Sequence, residues 1–257
     1  MPATLGVQMF TLRKYTQDAA SLDHALARVH AIGYRCIQPS AFGDIPPEQV
    51  AELCAQHGLE IGGTHVSWER LQGDLDRVIA EHALWQCRHT AVGFIPPATY
   101  LSIAGLERFL AELEPIARRL AEHGIDFSYH HHAHELRHFD GRPWLTHLLE
   151  RAPADLLKLE LDTHWIVAGG GDPVQWINDW GHRMPLVHLK DFALDEAVKR
   201  NFAPVGAGNL NWPLILDALA RQPVEYCFVE QDACYGEDEF DCLRGSHDFL
   251  RGCGVVQ

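Results

Sequence analysis

Short apolar runs alternate along the whole chain with segments whose apolar residues recur every three or four positions. Leu5–Phe10 reads as a first strand. Ser21–Ile32 follows it, with Leu22, Ala25, Leu26, Val29 and Ile32 on one helical face and Gly33 as a stop. Arg35–Pro39 predicts a second strand, and Pro46-Pro47 open a helix that ends at Gly58. Glu60–Val66, His89–Ile95, Ile125–His132, Leu156–Thr163, Pro185–Lys190 and Val224–Gln231 complete a set of eight strands. Helices are expected around Asp74–Leu84, Ile103–His123 and Trp144–Arg151, after the Asp172 cap, from Asn211 to Arg221, and over Glu239–Arg251. Pro115 should kink or split the longest of them. Leu194–Gly208 shows neither period and predicts a long irregular loop, a candidate lid.

Polar residues near successive strand ends, with Gly93 standing in on the fourth, are Gln8, Gln38, His65, Gly93, His130, Asp162, His188 and Glu230, at gaps of 30, 27, 28, 37, 32, 26 and 42 residues. That is the spacing of strand–helix–strand units, and eight of them predict an α/β fold, the (β/α)8 TIM barrel. No Pro/Ser-rich linker divides the chain, so residues 1–257 are expected to form a single TIM-barrel domain. The only glycine cluster, Gly169-Gly170-Gly171, precedes a helix cap and reads as a turn.

In such a barrel the chemistry sits where the strands end. Alternation along the sixth strand puts Leu157, Leu159 and Leu161 on one face, and Glu160 and Asp162 on the other, roughly 7 Å apart. The leucines belong against the outer helices, which turns both carboxylates inward. Two inward carboxylates are costly unless cations or donors meet them. The same alternation aims His188 and Lys190 inward on the seventh strand, groups His130 with His132 on the fifth, and Glu230 with Asp232 on the eighth. His65 ends the third. His131 should face outward. Four neighbouring strands thus bring His130, Asp162, His188 and Glu230 to one rim as a candidate divalent-metal site. Mixed oxygen and nitrogen donors suit Mn2+, Co2+, Zn2+ or Mg2+ alike. Glu230, Lys190 and Glu160 are the candidate catalytic residues, and His65, His132 and Trp68 the candidate substrate contacts. Core packing competes with the last role for Trp68, Trp165 and Trp212.

Composition narrows the function. Lys and Arg number 21 against 35 Asp and Glu, a net charge of −14, which disfavours nucleic-acid backbones and anionic membranes as partners. Histidine is unusually frequent, at 17. The seven cysteines form no Cys-x-x-Cys pair, so no zinc ribbon or thioredoxin-like motif is expected. With no signal-peptide pattern and no apolar run long enough for a span, the expectation is a cytoplasmic protein with reduced thiols. No Gly-x-Ser-x-Gly elbow is present.

Six ordered blocks carry a resemblance. Gly6-Val7-Gln8-Met9-Phe10-Thr11-Leu12-Arg13, Tyr129–Glu135 (YHHHAHE), Leu161–Trp165, Val187–Asp191, Val205–Trp212 and Val229–Asp232 resemble the xylose isomerase-like TIM barrels grouped as sugar phosphate isomerases/epimerases, including their inosose dehydratase-like branch. The resemblance implies Asp162, His188 and Glu230 as metal ligands. It sets His130 where classical epimerases of the fold carry a glutamate, which leaves one of two proton-transfer carboxylates missing and Glu160 as a substitute ligand or base. His131 replaces the usual Asn, and Ala207 the usual Glu of a Gly-Glu-Gly-Asn block. The implied activity is an isomerase or epimerase on a keto-sugar, working by proton abstraction next to a carbonyl through a metal-stabilised enediolate. Lys190 would stabilise the oxyanion or bind an acidic or phosphorylated group. The alternative is a lyase, dehydrating a keto-polyol or 3-keto-sugar. An apurinic-site endonuclease shares the barrel but fits the negative charge poorly. The partner expected is a small carbohydrate, and a homo-oligomer is compatible with the sequence.

Overall fold

The computed structural model describes residues 3–255. Its main sheet runs in the order β3-β2-β1-β13-β10-β9-β6-β5-β4, where β1 is Thr4–Gln8, β2 Cys36–Gln38, β3 Glu60–Ile61, β4 Thr64–Val66, β5 His89–Val92, β6 Asp126–His130, β9 Lys158–Asp162, β10 Leu186–Leu189 and β13 Tyr226–Val229. Every pairing in it is parallel, and outside it β7 (His138–Phe139) pairs antiparallel with β8 (Arg142–Pro143). The order starts at β3 and ends at β4, two pieces of one stretch separated by Gly62-Gly63. The Gly62 N–H donates to Ile37 O and the His65 N–H to Pro39 O, both at 3.1 Å, so the ladder continues across the break. The nine pieces are therefore eight strands of a nearly closed TIM-barrel-like α/β sheet. The break follows from crowding: a Cβ on Gly62 would lie 2.5 Å from Cys36 Sγ and from the Tyr226 ring inside the barrel.

The helices α1 (Ala19–Ile32), α2 (Pro47–Gln56), α3 (Trp68–Gly73), α4 (Leu75–Trp85), α5 (Pro97–Tyr100), α6 (Ile103–Glu122), α7 (Trp144–Arg151), α8 (Thr163–Ala168), α9 (Pro173–Trp180), α10 (Trp212–Leu219) and α11 (Glu239–Gly252) follow the strands. As alternation requires, Leu157, Leu159 and Leu161 are fully buried in the main core. Cys36, Leu186 and Phe228 form a separate small cluster with Tyr226. No helix among the described residues is long and apolar enough to cross a membrane, and no disulfide links the cysteines, six of which are buried.

Three expectations are corrected. The first strand stops at Gln8, whose side chain accepts from Phe10 N–H and caps a 3-10 helix over Met9–Tyr15. Pro115 does not split α6, because Leu106, Phe109, Leu113, Ile116, Ala117 and Leu120 keep one buried stripe on both sides of it. Burial along that face offsets the missing hydrogen bond, a cost of about 3 kcal/mol. The expected loop 194–208 contains a strand: β12 (Arg200–Ala203) pairs with β11 (Asp191–Leu194) as an antiparallel hairpin. Its anchor is the buried Asp191, which accepts from the N–H groups of Gly206, Gly208 and Leu210 and from the Trp212 indole. His131 is absent from the cavity lining. It is fully buried, its Nδ1–H donates to His132 O at 3.2 Å, and its Nε2 accepts from Asp162 N–H at 3.0 Å.

Candidate metal centre

At the C-terminal ends of the strands lies a cavity of about 390 Å3, lined in part by Phe10, His65, Phe94, His130, His132, Lys190, Glu230 and Asp232. Beneath it, donor atoms of His130, Asp162, His188 and Glu230 lie within 4.8 Å of one another. An overlapping group of His65, His130, Glu160 and His188 meets the same distance. Hydrogen bonding distinguishes the two.

Glu160 has both carboxylate oxygens engaged. Oε1 accepts from Gln38 Nε2 at 2.7 Å and Oε2 from His65 Nε2 at 2.6 Å. A carboxylate held this way only accepts, so Gln38 must offer it the amide NH2. Gln38 Oε1 then faces Gln8 Nε2 at 2.9 Å and His188 Nε2 at 2.7 Å, and accepts from both. His188 Nε2 therefore carries a hydrogen. That leaves Nδ1 of a neutral ring presenting a lone pair to Glu230 Oε2, 2.9 Å away. Two acceptors that close require a cation between them, either a second proton or a metal ion. Burial opposes charging the His188 ring, yet Glu160 and Glu230 outweigh it and raise His188 to about 10.

The remaining two members of the quartet have atoms with no hydrogen-bond partner. Asp162 Oδ1 accepts from Trp165 N–H and caps α8, while Oδ2 is buried with no hydrogen-bond partner. Burial raises Asp162 to about 7, against the pull of Lys190. His130 Nδ1 is likewise buried without one, and burial holds that imidazole well below its ordinary range. Orphaned polar atoms of this kind are rare in proteins and mark a place where another group belongs. The buried His/Glu/Asp cluster thus fits a divalent metal site, with His130, Asp162, His188 and Glu230 as the residues that would hold the ion. Glu160, Gln38 and Gln8 form the layer beneath, fixing the His188 tautomer.

The other proposed roles are redistributed. Glu160 is fully buried, and both of its oxygens are engaged by Gln38 and His65, which places it below the cavity rather than in it. Lys190 Nζ lies 3.0 Å from Glu230 Oε2, 2.6 Å from Asp232 Oδ1 and 3.7 Å from Asp162 Oδ2. Burial alone would lower its pKa, but these carboxylates raise it, so the ammonium stays charged. His65 and His132 line the cavity. Trp68 does not. It is 2% exposed, and its indole donates to Tyr100 Oη at 3.0 Å in the core. Gln8 and Gln38 were visible in the sequence as inward polar residues at strand ends, yet nothing in the pattern indicated a network. Gln38→Leu removes the acceptor of His188 Nε2–H, and we expect divalent-cation affinity to fall about 10–100-fold. Calorimetric titration with Mn2+ checks this, and unchanged affinity refutes the positioning role.

A model of the xylose isomerase-like TIM barrel family matches residues 26–246. Among solved structures, the chain superimposes on a sugar phosphate isomerase/epimerase from Parabacteroides distasonis with TM-score 0.82 and 20% identity, covering 100% of this chain and 96% of that one. An L-ribulose 3-epimerase gives 0.76 and 16%, covering 98% and 94%. A probable 3-DHS dehydratase from Bacillus anthracis gives 0.72 and 14%, covering 96% and 98%. These likenesses show a shared fold. A sequence search among curated proteins finds no match.

Proposed function

The chain belongs to the xylose isomerase-like TIM barrel family, and from that premise we propose that it is a divalent-metal-dependent isomerase or epimerase acting on a keto-sugar or sugar derivative. The observation that carries the proposal is the quartet His130, Asp162, His188 and Glu230, with Asp162 Oδ2 and His130 Nδ1 lacking hydrogen-bond partners, under an open cavity. A divalent ion held there would supply Lewis-acid stabilisation to a carbonyl and its neighbouring hydroxyl. Glu230 lines the cavity and moves the proton from the carbon next to that carbonyl. Lys190, at 3.0 Å, keeps the Glu230 carboxylate ionised and oriented for this task. His65 and His132 orient hydroxyls, and the rings of Phe10 and Phe94 cover the C–H faces of the sugar.

The substrate is an unphosphorylated sugar on this reading. Lys190 is the one Lys or Arg among the described lining residues, and its ammonium is already taken by Glu230 and Asp232. Among the described lining residues no cation is free to receive a phosphate.

One observation favours the lyase alternative. Glu230 and Asp232 rise from the same strand end, while the third lining carboxylate, Glu69, is exposed on α3. Elimination on one face of a keto-polyol needs one such carboxylate group, whereas epimerisation needs proton transfer on two faces.

The test is a panel of keto-sugars, their phosphate esters and inososes, incubated with protein and Mn2+ in D2O. Deuterium uptake without loss of water identifies an isomerase or epimerase, and an enone product identifies a lyase. Free sugars are expected to react at least tenfold faster than their phosphates. If Mn2+-loaded protein produces neither exchange nor elimination, the proposal fails.

A further inference from the structure

The opposite end of the barrel carries a second cluster, separate from the cavity. His89 opens β5, Asp126 opens β6, and Glu225 immediately precedes β13. His89 and Asp126 are register partners on neighbouring strands. Glu225 comes from four strands further round the sheet. The imidazole of His89 is 2% exposed, and the Tyr226 ring packs near-perpendicular to it at 5.8 Å. Its Nε2 lies 3.4 Å from Glu225 Oε2 and its Nδ1 3.7 Å from Asp126 Oδ2, yet neither nitrogen has a hydrogen-bond partner. One donor atom from each of the three residues lies within 4.8 Å of the other two.

A neutral imidazole donates from one nitrogen only, while both flanking carboxylates only accept. The ring therefore cannot satisfy both carboxylates without an added cation. A separation of 3.4 Å is too long for a good charge-assisted hydrogen bond. It matches the spacing of two ligands on one tetrahedral ion, about 3.4 Å for bonds of about 2.1 Å. Asp126 and Glu225 are 41% and 44% exposed, so an ion has access from solvent. Arg88 donates to Glu225 Oε2 at 3.1 Å, but its side chain is 66% exposed and competes weakly.

We propose that His89, Asp126 and Glu225 form a second divalent-cation site at the N-terminal end of the barrel, suited to Zn2+, which ties β5 and β6 to β13 from across the sheet. One imidazole and two carboxylates are a donor set that Zn2+ accepts, with water completing the shell. The site lies outside the reaction cavity and its role is structural.

Zn2+ is the probe. Metal analysis of gel-filtered protein should find two ions per chain in the parent, and one in each of Asp162→Asn and His89→Gln. In the Asp162→Asn background, His89→Gln and, separately, Glu225→Gln should weaken the remaining Zn2+ at least tenfold by titration and abolish the rise in Tm that Zn2+ confers. Glu225 is half-exposed, so that variant tests the site without disturbing the interior. A Zn2+ count and affinity unchanged by both substitutions overturns the proposal, as does a parent chain whose only ion is lost with Asp162→Asn. The opposite result, one ion lost with His89→Gln and none with Asp162→Asn, keeps this site and refutes the metal centre under the cavity.

Discussion

Asp162→Asn is expected to lower kcat by about 10^3-fold or more on any substrate found by deuterium exchange, the loss of several kcal/mol of charge stabilisation. It should also weaken Mn2+ binding while leaving the fold intact. The reason is that the two oxygens of Asp162 have separate tasks. Oδ1 accepts from Trp165 N–H and caps α8, which Asn can also do. Oδ2 has no hydrogen-bond partner and belongs to the quartet, and there Asn would present an NH2 donor beside Lys190. Metal-free protein gives a second readout. Burial raises the Asp162 carboxyl from 3.8 to about 7, so between those pH values the native chain holds a proton that the unfolded chain has lost. Stability therefore falls as pH rises through that window. Asp162→Asn should remove this part of the slope in metal-free protein. Full activity in the variant would exclude Asp162 from the centre.

Lys190→Met should destabilise metal-free protein by about 3–5 kcal/mol, the penalty for removing one partner from a buried charge cluster. Glu230, Asp232 and Asp162 would be left facing one another without their ammonium. Divalent cations should restore part of the loss, because they supply the missing positive charge to the same oxygens. Urea unfolding with and without Mn2+ measures both effects. A Lys190 that acted only on the developing oxyanion would behave differently: kcat would drop and metal-free stability would barely change.

How far the sequence carries depends on the range over which its patterns act. Alternation with period two is local, so the sequence alone separates Leu157, Leu159 and Leu161 from Glu160 and Asp162. The inward aim of Lys190 was readable from the same alternation. The eight-unit spacing was readable because each unit must be long enough to cross the sheet and return. Trp68 was harder, since an aromatic following a strand end serves a cavity or a core equally well until its neighbours, Tyr100 and Phe109, are in place. The hairpin at β11–β12 escaped because its order comes from Asp191 gathering donors from a loop 15 to 21 residues away, and not from any periodic pattern.

Period and spacing along the chain thus specified the barrel and the rim to which the ligand-bearing residues come, for these depend on local alternation and on the length of each unit. Tertiary packing decided which atoms of those residues are free. Gln8, Gln38 and Glu160 lie 30 and 122 residues apart in successive contacts, and only their meeting inside the barrel fixes the hydrogen on His188 and leaves Nδ1, Asp162 Oδ2 and His130 Nδ1 open to a cation. Hydrogen-bond saturation belongs to a set of neighbours, and a linear chain does not list its neighbours in space.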